Sequence, residues 1–109
     1  MSTLNEALDA GVKERVRAVL DHQPVTEAQL RKLLEDGHAC ALILHARVEQ
    51  NEQRLAALAA DPASSLAESA AAYRELSEVR PDLDELETML AALEERARAF
   101  RSSWLSAKA

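Results

Sequence analysis

The sequence has few of the residues that interrupt helices or favour strands. Only two of its 109 residues are glycine and three are proline, and phenylalanine, tyrosine and tryptophan occur once each. Because strands favour aromatic and β-branched residues and tight turns need glycine or proline, a sheet is not expected. The lack of any glycine-rich stretch also excludes a phosphate-binding loop of the usual kind.

Cysteine and long apolar runs are scarce as well. The single cysteine, Cys40, cannot form a disulfide within the chain, and its apolar neighbours predict a buried thiol. The longest apolar run, residues 39–44, is far shorter than the roughly 20 residues that a membrane-spanning helix needs. Residues 1–6 have neither the basic head nor the apolar core of a secretory signal, so we expect a cytoplasmic protein.

Basic charge is in the minority. Nineteen acidic residues stand against thirteen basic ones, which gives a net charge of -6. No segment collects the basic residues into a stripe that could neutralise phosphates. Neither a nucleic acid nor an anionic membrane is therefore expected as a partner.

What the sequence does contain is typical of an all-α protein. Alanine, leucine, glutamate and arginine dominate it, and these residues lose little rotamer freedom in a helix. We expect a single helical domain over residues 1–109, folded as an elongated antiparallel helical bundle or coiled-coil hairpin. It has three to four helices, at about residues 3–22, 27–60, 63–80 and 82–107. The last two are either separate or one helix kinked at Pro81, and we favour the kinked helix.

Local signals mark the helix ends. Pro24 stops the first helix, and Thr26 with Gln29 forms a capping box that starts the second. Two residues compete to cap the third helix: Asp61, with a proline after it, and Ser65, with a glutamate three positions later. The sequence does not decide between them.

Each helix carries an apolar stripe, and two of the stripes have the alternating spacing of three and four that is typical of a coiled-coil seam. Gly37 in the second stripe predicts a close approach of two helices. Asn51 in the same stripe either fixes the register against a partner amide or is solvated. The stripes comprise Leu4, Leu8, Val12, Val16, Val19 and Leu20 in the first helix; Leu30, Leu34, Gly37, Ala41, Leu44, Val48, Asn51, Leu55 and Leu58 in the second; and Leu83, Leu86, Leu90, Leu93, Ala97, Phe100, Trp104 and Ala107 in the last.

Antiparallel counting from the turn at Pro62 places Arg96 opposite Thr26. The last helix should therefore extend beyond the second, and its stripe from Ala97 onward should be uncovered. In the alternative, the turn at Pro24 folds over Phe100 and Trp104 and makes them part of the core. The first helix should cover the lower half of the second, so that residues 39–44 are surrounded on nearly every side.

These features predict a non-enzymatic, protein-binding helical scaffold without a cofactor. It would act as a dimeriser, adaptor or secretion-type chaperone that uses its seams to hold itself, as a homodimer, or a helical partner chain. The residues expected to bind the partner are Leu93, Ala97, Phe100, Trp104 and Leu105, with Leu66 and Tyr73 as a second patch.

The rival interpretation is a metal-dependent helical-bundle enzyme. Glu35 and His38 are three residues apart on one helical side, as in carboxylate-bridged metal bundles, and His45 and Glu49 follow on the same flank. One copy supplies too few ligands, so such a site would form only in a dimer. We therefore expect no metal and keep these four residues as candidate ligands.

Overall fold

A computed structural model describes the backbone of residues 2–108 and the side chains of residues 11–106. Within that backbone there are three helices, α1 (Ser2–Leu20), α2 (Glu27–Ala60) and α3 (Leu66–Lys108), and no strand. The all-α prediction is confirmed. In the described part of the chain, no helix combines the length and the apolarity that crossing a membrane requires.

Helix α3 runs without a break through Pro81. The prediction of two separate helices, at 63–80 and 82–107, is therefore wrong, and the continuous version is correct. A proline inside a helix removes one backbone hydrogen bond and commonly costs about 3 kcal/mol. The residues Val79 and Leu83 flank Pro81 on one apolar stripe and are both buried, and their packing offsets part of this cost.

Contacts divide the chain into two compact units. The three-helix unit contains residues 1–40 and 86–109, and the two-helix unit contains residues 41–85. Helices α2 and α3 contribute a segment to each unit. The expectation of a single domain over residues 1–109 stays a prediction.

A left-handed residue ends α1. The His22 amide donates to the Val19 carbonyl at 3.1 Å, and the Gln23 amide donates to the Ala18 carbonyl at 3.2 Å. These two bonds form a Schellman motif, which requires a positive φ at the residue that glycine usually occupies. Here that residue is His22, with a φ of 68°. Pro24 follows directly and prevents the helix from resuming.

Side-chain caps start α2 and α3. At α2 the Gln29 amide donates to Thr26 Oγ1 at 3.1 Å, and the Thr26 amide donates to Gln29 Oε1 at 2.9 Å, so the predicted capping box is confirmed. At α3 the Glu68 amide donates to Ser65 Oγ at 3.2 Å. Asp61 instead accepts the amide of Ala63 within the turn, so Ser65, and not Asp61, is the cap.

The core of the three-helix unit is built from aliphatic side chains of all three helices. Leu86, Leu93 and Val16 are its most completely buried members. Leu4, Leu8 and Ala107 of the predicted stripes lie outside the described side chains. The buried set comprises Val12, Val16 and Val19 from α1, Leu30, Leu33 and Cys40 from α2, and Leu86, Met89, Leu90, Leu93 and Ala97 from α3.

Gly37 allows α2 and α3 to approach closely in this unit. A Cβ atom added to Gly37 would overlap Cδ2 of Leu90, a side chain that is itself buried. The close approach predicted from the sequence is therefore present. By contrast, a Cβ atom added to Gly11 in α1 would meet nothing within 4 Å.

The two-helix unit buries one narrow stripe from each helix. Its buried residues are Ala41, Leu44, Asn51, Ala72, Leu76, Val79 and Leu83. Because only two helices form this unit, their outer faces stay open. Leu42 and Ile43 are accordingly exposed, Leu42 by 70%, and the expectation that residues 39–44 are surrounded is wrong.

Asn51 is buried in this stripe and is satisfied within its own helix. Its Nδ2 donates to the Arg47 carbonyl at 2.9 Å, and the Arg47 side chain pairs with Glu75 across the hairpin at 3.1 Å. The suggestion that Asn51 is solvated is therefore wrong. The bond itself lies within α2, so the contact that joins the two helices here is the ion pair of Arg47 with Glu75.

The two glycines predict opposite responses to alanine. At Gly11 the methyl group meets no atom, so Gly11→Ala should stabilise the fold by about 0.5–1 kcal/mol through the lower backbone entropy of the unfolded chain. At Gly37 the clash with Leu90 should exceed that gain, and Gly37→Ala should destabilise by about 1–2 kcal/mol. Urea unfolding followed by circular dichroism measures both, and equal shifts in the same direction would contradict the close packing at Gly37.

Pro81 offers a test of the continuity of α3. Its side chain is exposed, so Pro81→Ala restores a backbone hydrogen bond without opening a cavity. We expect a stabilisation of about 1–3 kcal/mol in thermal or urea unfolding. Glu78→Ala, at another exposed position of α3, is the control and should change stability by less than about 0.5 kcal/mol. No gain from Pro81→Ala would indicate that the helix is interrupted there.

Candidate protein-interaction surface

The apolar stripe of α3 passes from the core to the surface near the end of the helix. Ala97 is 5% exposed, but Phe100 is 39% exposed and Trp104 54%. Leu105, beside Trp104, is 62% exposed. We call Phe100, Trp104 and Leu105 the aromatic end. It lies in the three-helix unit, where α3 extends past the first residue of α2.

The uncovered part of the stripe begins later than counting from the sequence predicts. One groove is lined by Glu27, Leu30 and Leu34 of α2 together with Ala97 and Phe100 of α3. Counting from the sequence treated the turn as a reversal at Pro62 alone. In the structure, residues 61–65 separate the two helices and α3 begins at Leu66. The five connecting residues move the register by about four positions, so α2 covers α3 as far as Phe100.

Two predicted partner-binding residues are consequently core residues. Leu93 is fully buried and Ala97 nearly so, because α2 extends alongside both. Their assignment to a partner-binding surface is corrected accordingly. Phe100, Trp104 and Leu105 remain at the surface.

The turn between α1 and α2 does not cover the aromatic end. The Arg96 guanidinium donates to the Leu20 carbonyl at 3.3 Å and lies 2.8 Å from His22 Nδ1, which ties this turn to α3 one helical turn before Phe100. Phe100 and Trp104 stay exposed beyond it. The alternative in which the Pro24 turn makes them part of the core is therefore wrong.

Two small grooves adjoin the aromatic end. The first, of about 210 Å³, is lined by Glu27, Leu30, Arg31, Leu34, Ala97, Phe100 and Arg101. The second, of about 190 Å³, is lined by Glu27, Phe100, Arg101, Trp104 and Leu105. The grooves share Phe100, so an apolar side chain placed in either one would contact an aromatic ring. This arrangement suits the side chains of an incoming helix, which occupy such holes at regular spacing.

Most charges around these grooves are paired. Arg31 lies 3.6 Å from Glu27, and Arg98 lies 2.6 Å from Glu95. Arg101 lines both grooves, is exposed, and makes no ion pair with the described residues. The aromatic end therefore carries the charge of Arg101 beside its apolar side chains, with Glu27 in the same two grooves.

A larger groove lies between α1 and α2 in the same unit. Its volume is about 490 Å³, and its lining consists of Arg15, Ala18, Val19, Gln23, Pro24, Val25, Ala28, Gln29, Lys32 and Leu33. We call it the α1–α2 groove. Its lining contains apolar side chains and two cations but no acidic residue.

Both cations of the α1–α2 groove share one carboxylate. Asp36 contacts Lys32 at 2.9 Å and Arg15 at 3.4 Å. The hydrogen bond from Lys32 and the nearby charge of Arg15 hold the pKa of Asp36 below its usual range, and the same bond raises the pKa of Lys32. The Glu35 carboxylate also raises the pKa of Lys32, so the two cations stand beside two acidic residues.

The second predicted patch lies in the two-helix unit. Leu66 is 87% exposed and Tyr73 66% exposed, on the outer face of α3. Ala72, and not Tyr73, occupies the buried position next to Leu76. Leu66 and Tyr73 thus stay available as surface residues, but they are separate from the grooves described above.

The candidate metal ligands do not form a cluster in one chain. His38 Nε2 lies 2.9 Å from Glu94 Oε1 on α3, and Glu35, His45 and Glu49 are exposed residues of α2. Among the described side chains there is no group of three or more histidine, cysteine, aspartate or glutamate residues that could hold a metal ion. A metal centre built on these residues would need ligands from a second chain.

Sequence reasoning missed the residues that α2 contributes to the surface. Glu27, Arg31 and Arg101 were not among the predicted site residues, and the α1–α2 groove was not anticipated. The start of α2 gave a partial signal, because apolar Val25 and Ala28 stand beside the capping residues, where a helix end is usually polar. Their grouping depends on how the helices pack, which the linear sequence does not contain.

Comparison with protein-family models, with curated proteins and with solved structures found no match to this chain. The function must therefore be argued from the residues and their geometry.

Chelation separates the binding and metalloenzyme interpretations. A scaffold held together by apolar seams should contain no stoichiometric metal and should melt at the same temperature before and after treatment with EDTA. Elemental analysis and thermal unfolding of the purified protein measure this. Bound metal, together with a lower melting temperature after chelation that Glu35→Ala reproduces, would support the metalloenzyme instead. Glu78→Ala, at an exposed glutamate of α3, is the control.

Proposed function

We propose that this chain is a non-enzymatic, protein-binding helical scaffold whose aromatic end holds a helix of a second chain. One observation carries the proposal: the seam stripe of α3 continues in phase from buried Ala97 to exposed Phe100 and Trp104. A seam stripe is stable when a neighbouring helix covers it. Helix α2 begins at Glu27, beside Phe100, so a helix that covers the rest of the aromatic end must come from elsewhere.

The aromatic end has the chemical character of a binding hot spot. Phenylalanine and tryptophan bring a large apolar area at a low cost in side-chain entropy, and such residues dominate the energetics of many interfaces. The grooves beside Phe100 supply recesses for side chains of the partner. The buried core of the three-helix unit keeps this part of α3 positioned, which lowers the entropy lost on binding.

The proposal covers three related roles. In a dimeriser the incoming helix belongs to a second copy, and in an adaptor or a secretion-type chaperone it belongs to another protein. Leu66 and Tyr73 are the second surface through which such a scaffold would make contact. A cytoplasmic location is part of the proposal, since a lone buried thiol at Cys40 is typical of a reducing compartment.

Trp104 is the only tryptophan in the chain and so reports binding directly. The probe is a synthetic helical peptide of about three heptads with leucine at both seam positions and an equal number of glutamate and lysine residues elsewhere. We expect it to shift Trp104 emission to shorter wavelength and to protect it from acrylamide. Phe100→Ala should weaken this binding by at least about tenfold, because it removes the ring shared by both grooves.

Leu42→Ala is the matched control, because Leu42 is an exposed apolar residue of the two-helix unit. It should leave peptide binding unchanged. Light scattering over a range of protein concentrations measures the mass in solution and shows whether the chain forms a dimer before peptide is added. If emission stays unshifted with saturating peptide and the mass stays that of one chain, the aromatic end is not a binding surface.

A further inference from the structure

We propose that the helix held at the aromatic end is an acidic amphipathic helix, with an apolar stripe between flanks rich in aspartate and glutamate. This inference rests on the proposed function, because it specifies the partner of the same surface. It comes from the cations that line the apolar grooves of the three-helix unit.

The first observation is the position of Arg101. It lines both grooves of the aromatic end, next to Phe100, and it makes no ion pair with the described residues. Glu27 is the one acidic residue in either groove, and it lies beside Arg31. A helix lying along this stripe would place its flanking side chains near Arg101. A carboxylate there gains a partner, whereas an ammonium group meets a charge of its own sign.

The second observation is the α1–α2 groove, which is lined by a different set of residues. Arg15 and Lys32 stand at this groove and share the single carboxylate of Asp36. This groove, too, combines an apolar lining with cations, and its acidic neighbours, Asp36 and Glu35, stand outside the lining. Both sides of the start of α2 therefore present the same chemistry, and a partner with acidic flanks suits either one.

The third observation is that this positive character is local. The chain as a whole has a net charge of -6. Residues 41–85, the two-helix unit, hold nine acidic and four basic residues. The three-helix unit, which carries the aromatic end, holds ten acidic and nine basic residues and is much less acidic.

Two peptides that differ only in the sign of their flanks test the inference. Both have three heptads with leucine at the seam positions, and their flanking positions carry glutamate in one and lysine in the other. At about 50 mM salt we expect the glutamate peptide to bind about tenfold more tightly, as measured by Trp104 emission. At about 500 mM salt the two affinities should converge, since exposed charges are then screened.

Charge reversal at Arg101 locates the effect. Arg101→Glu should weaken binding of the glutamate peptide by about five- to tenfold and strengthen binding of the lysine peptide. Arg54→Glu, at an exposed arginine of the two-helix unit, is the matched control and should change neither affinity by more than about twofold. A glutamate peptide with its leucines dispersed around the helix should not bind, which excludes attraction by charge alone.

The outcomes separate this inference from the proposed function. If both peptides bind equally well, or the lysine peptide binds better, the acidic partner is excluded while the binding surface stands. If light scattering shows a dimer, and Trp104 emission shows that the second copy excludes both peptides, the occupant is the chain itself and the inference is overturned. If neither peptide affects Trp104 and the protein is monomeric, the proposed function fails as well.

Discussion

A difference in length between two neighbouring helices determines the exposed surface of this protein. Helix α3 has 43 residues and α2 has 34, and a five-residue connection joins them. The nine additional residues of α3 correspond to about 14 Å of helix. Because the apolar stripe of α3 continues into this additional length, part of a seam is left without its neighbour. The aromatic end follows directly from this.

The number of neighbours that a helix has is visible in how many of its positions are buried. In the three-helix unit, α3 buries the adjacent residues Met89 and Leu90, and α2 buries Leu33 and Cys40 in addition to its seam. In the two-helix unit the buried positions of α3 form one line at a spacing of three and four, from Ala72 to Leu83. Each added neighbour thus widens the buried face, as expected for amphipathic helices.

Much of this fold could be predicted from local sequence. Helix-forming composition and seam spacing predicted the helices, and the capping box at Thr26 placed the start of α2 correctly. Pro81 was compatible with a break or with a continuous helix, and the seam, in phase on both sides, favoured the continuous helix that the structure has. The failure occurred where packing over a longer range decides which residues lie opposite each other. The length of the turn after Ala60 shifted the register, which misassigned Ala97, whereas Leu93 already lay on the covered side of the counted boundary.

The candidate site was predicted in part, for a physical reason. Exposure of Phe100, Trp104 and Leu105 followed from the length of the last helix, which the sequence pattern reveals. The grooves beside them could not be predicted, because they depend on which residues of α2 lie opposite. Glu27 and Arg101 are far apart in the chain and meet only once the register is fixed.

The placement of the aromatic residues gives the strongest argument that these surfaces bind something. The chain has three of them, and all three, Tyr73, Phe100 and Trp104, are exposed, while the core is built from aliphatic side chains. Phenylalanine is among the residues most often buried in folded proteins. A fold stabilised only for itself gains most by placing such large apolar groups in its core. Here they stand at the surface, where their apolar area becomes buried only when another molecule binds.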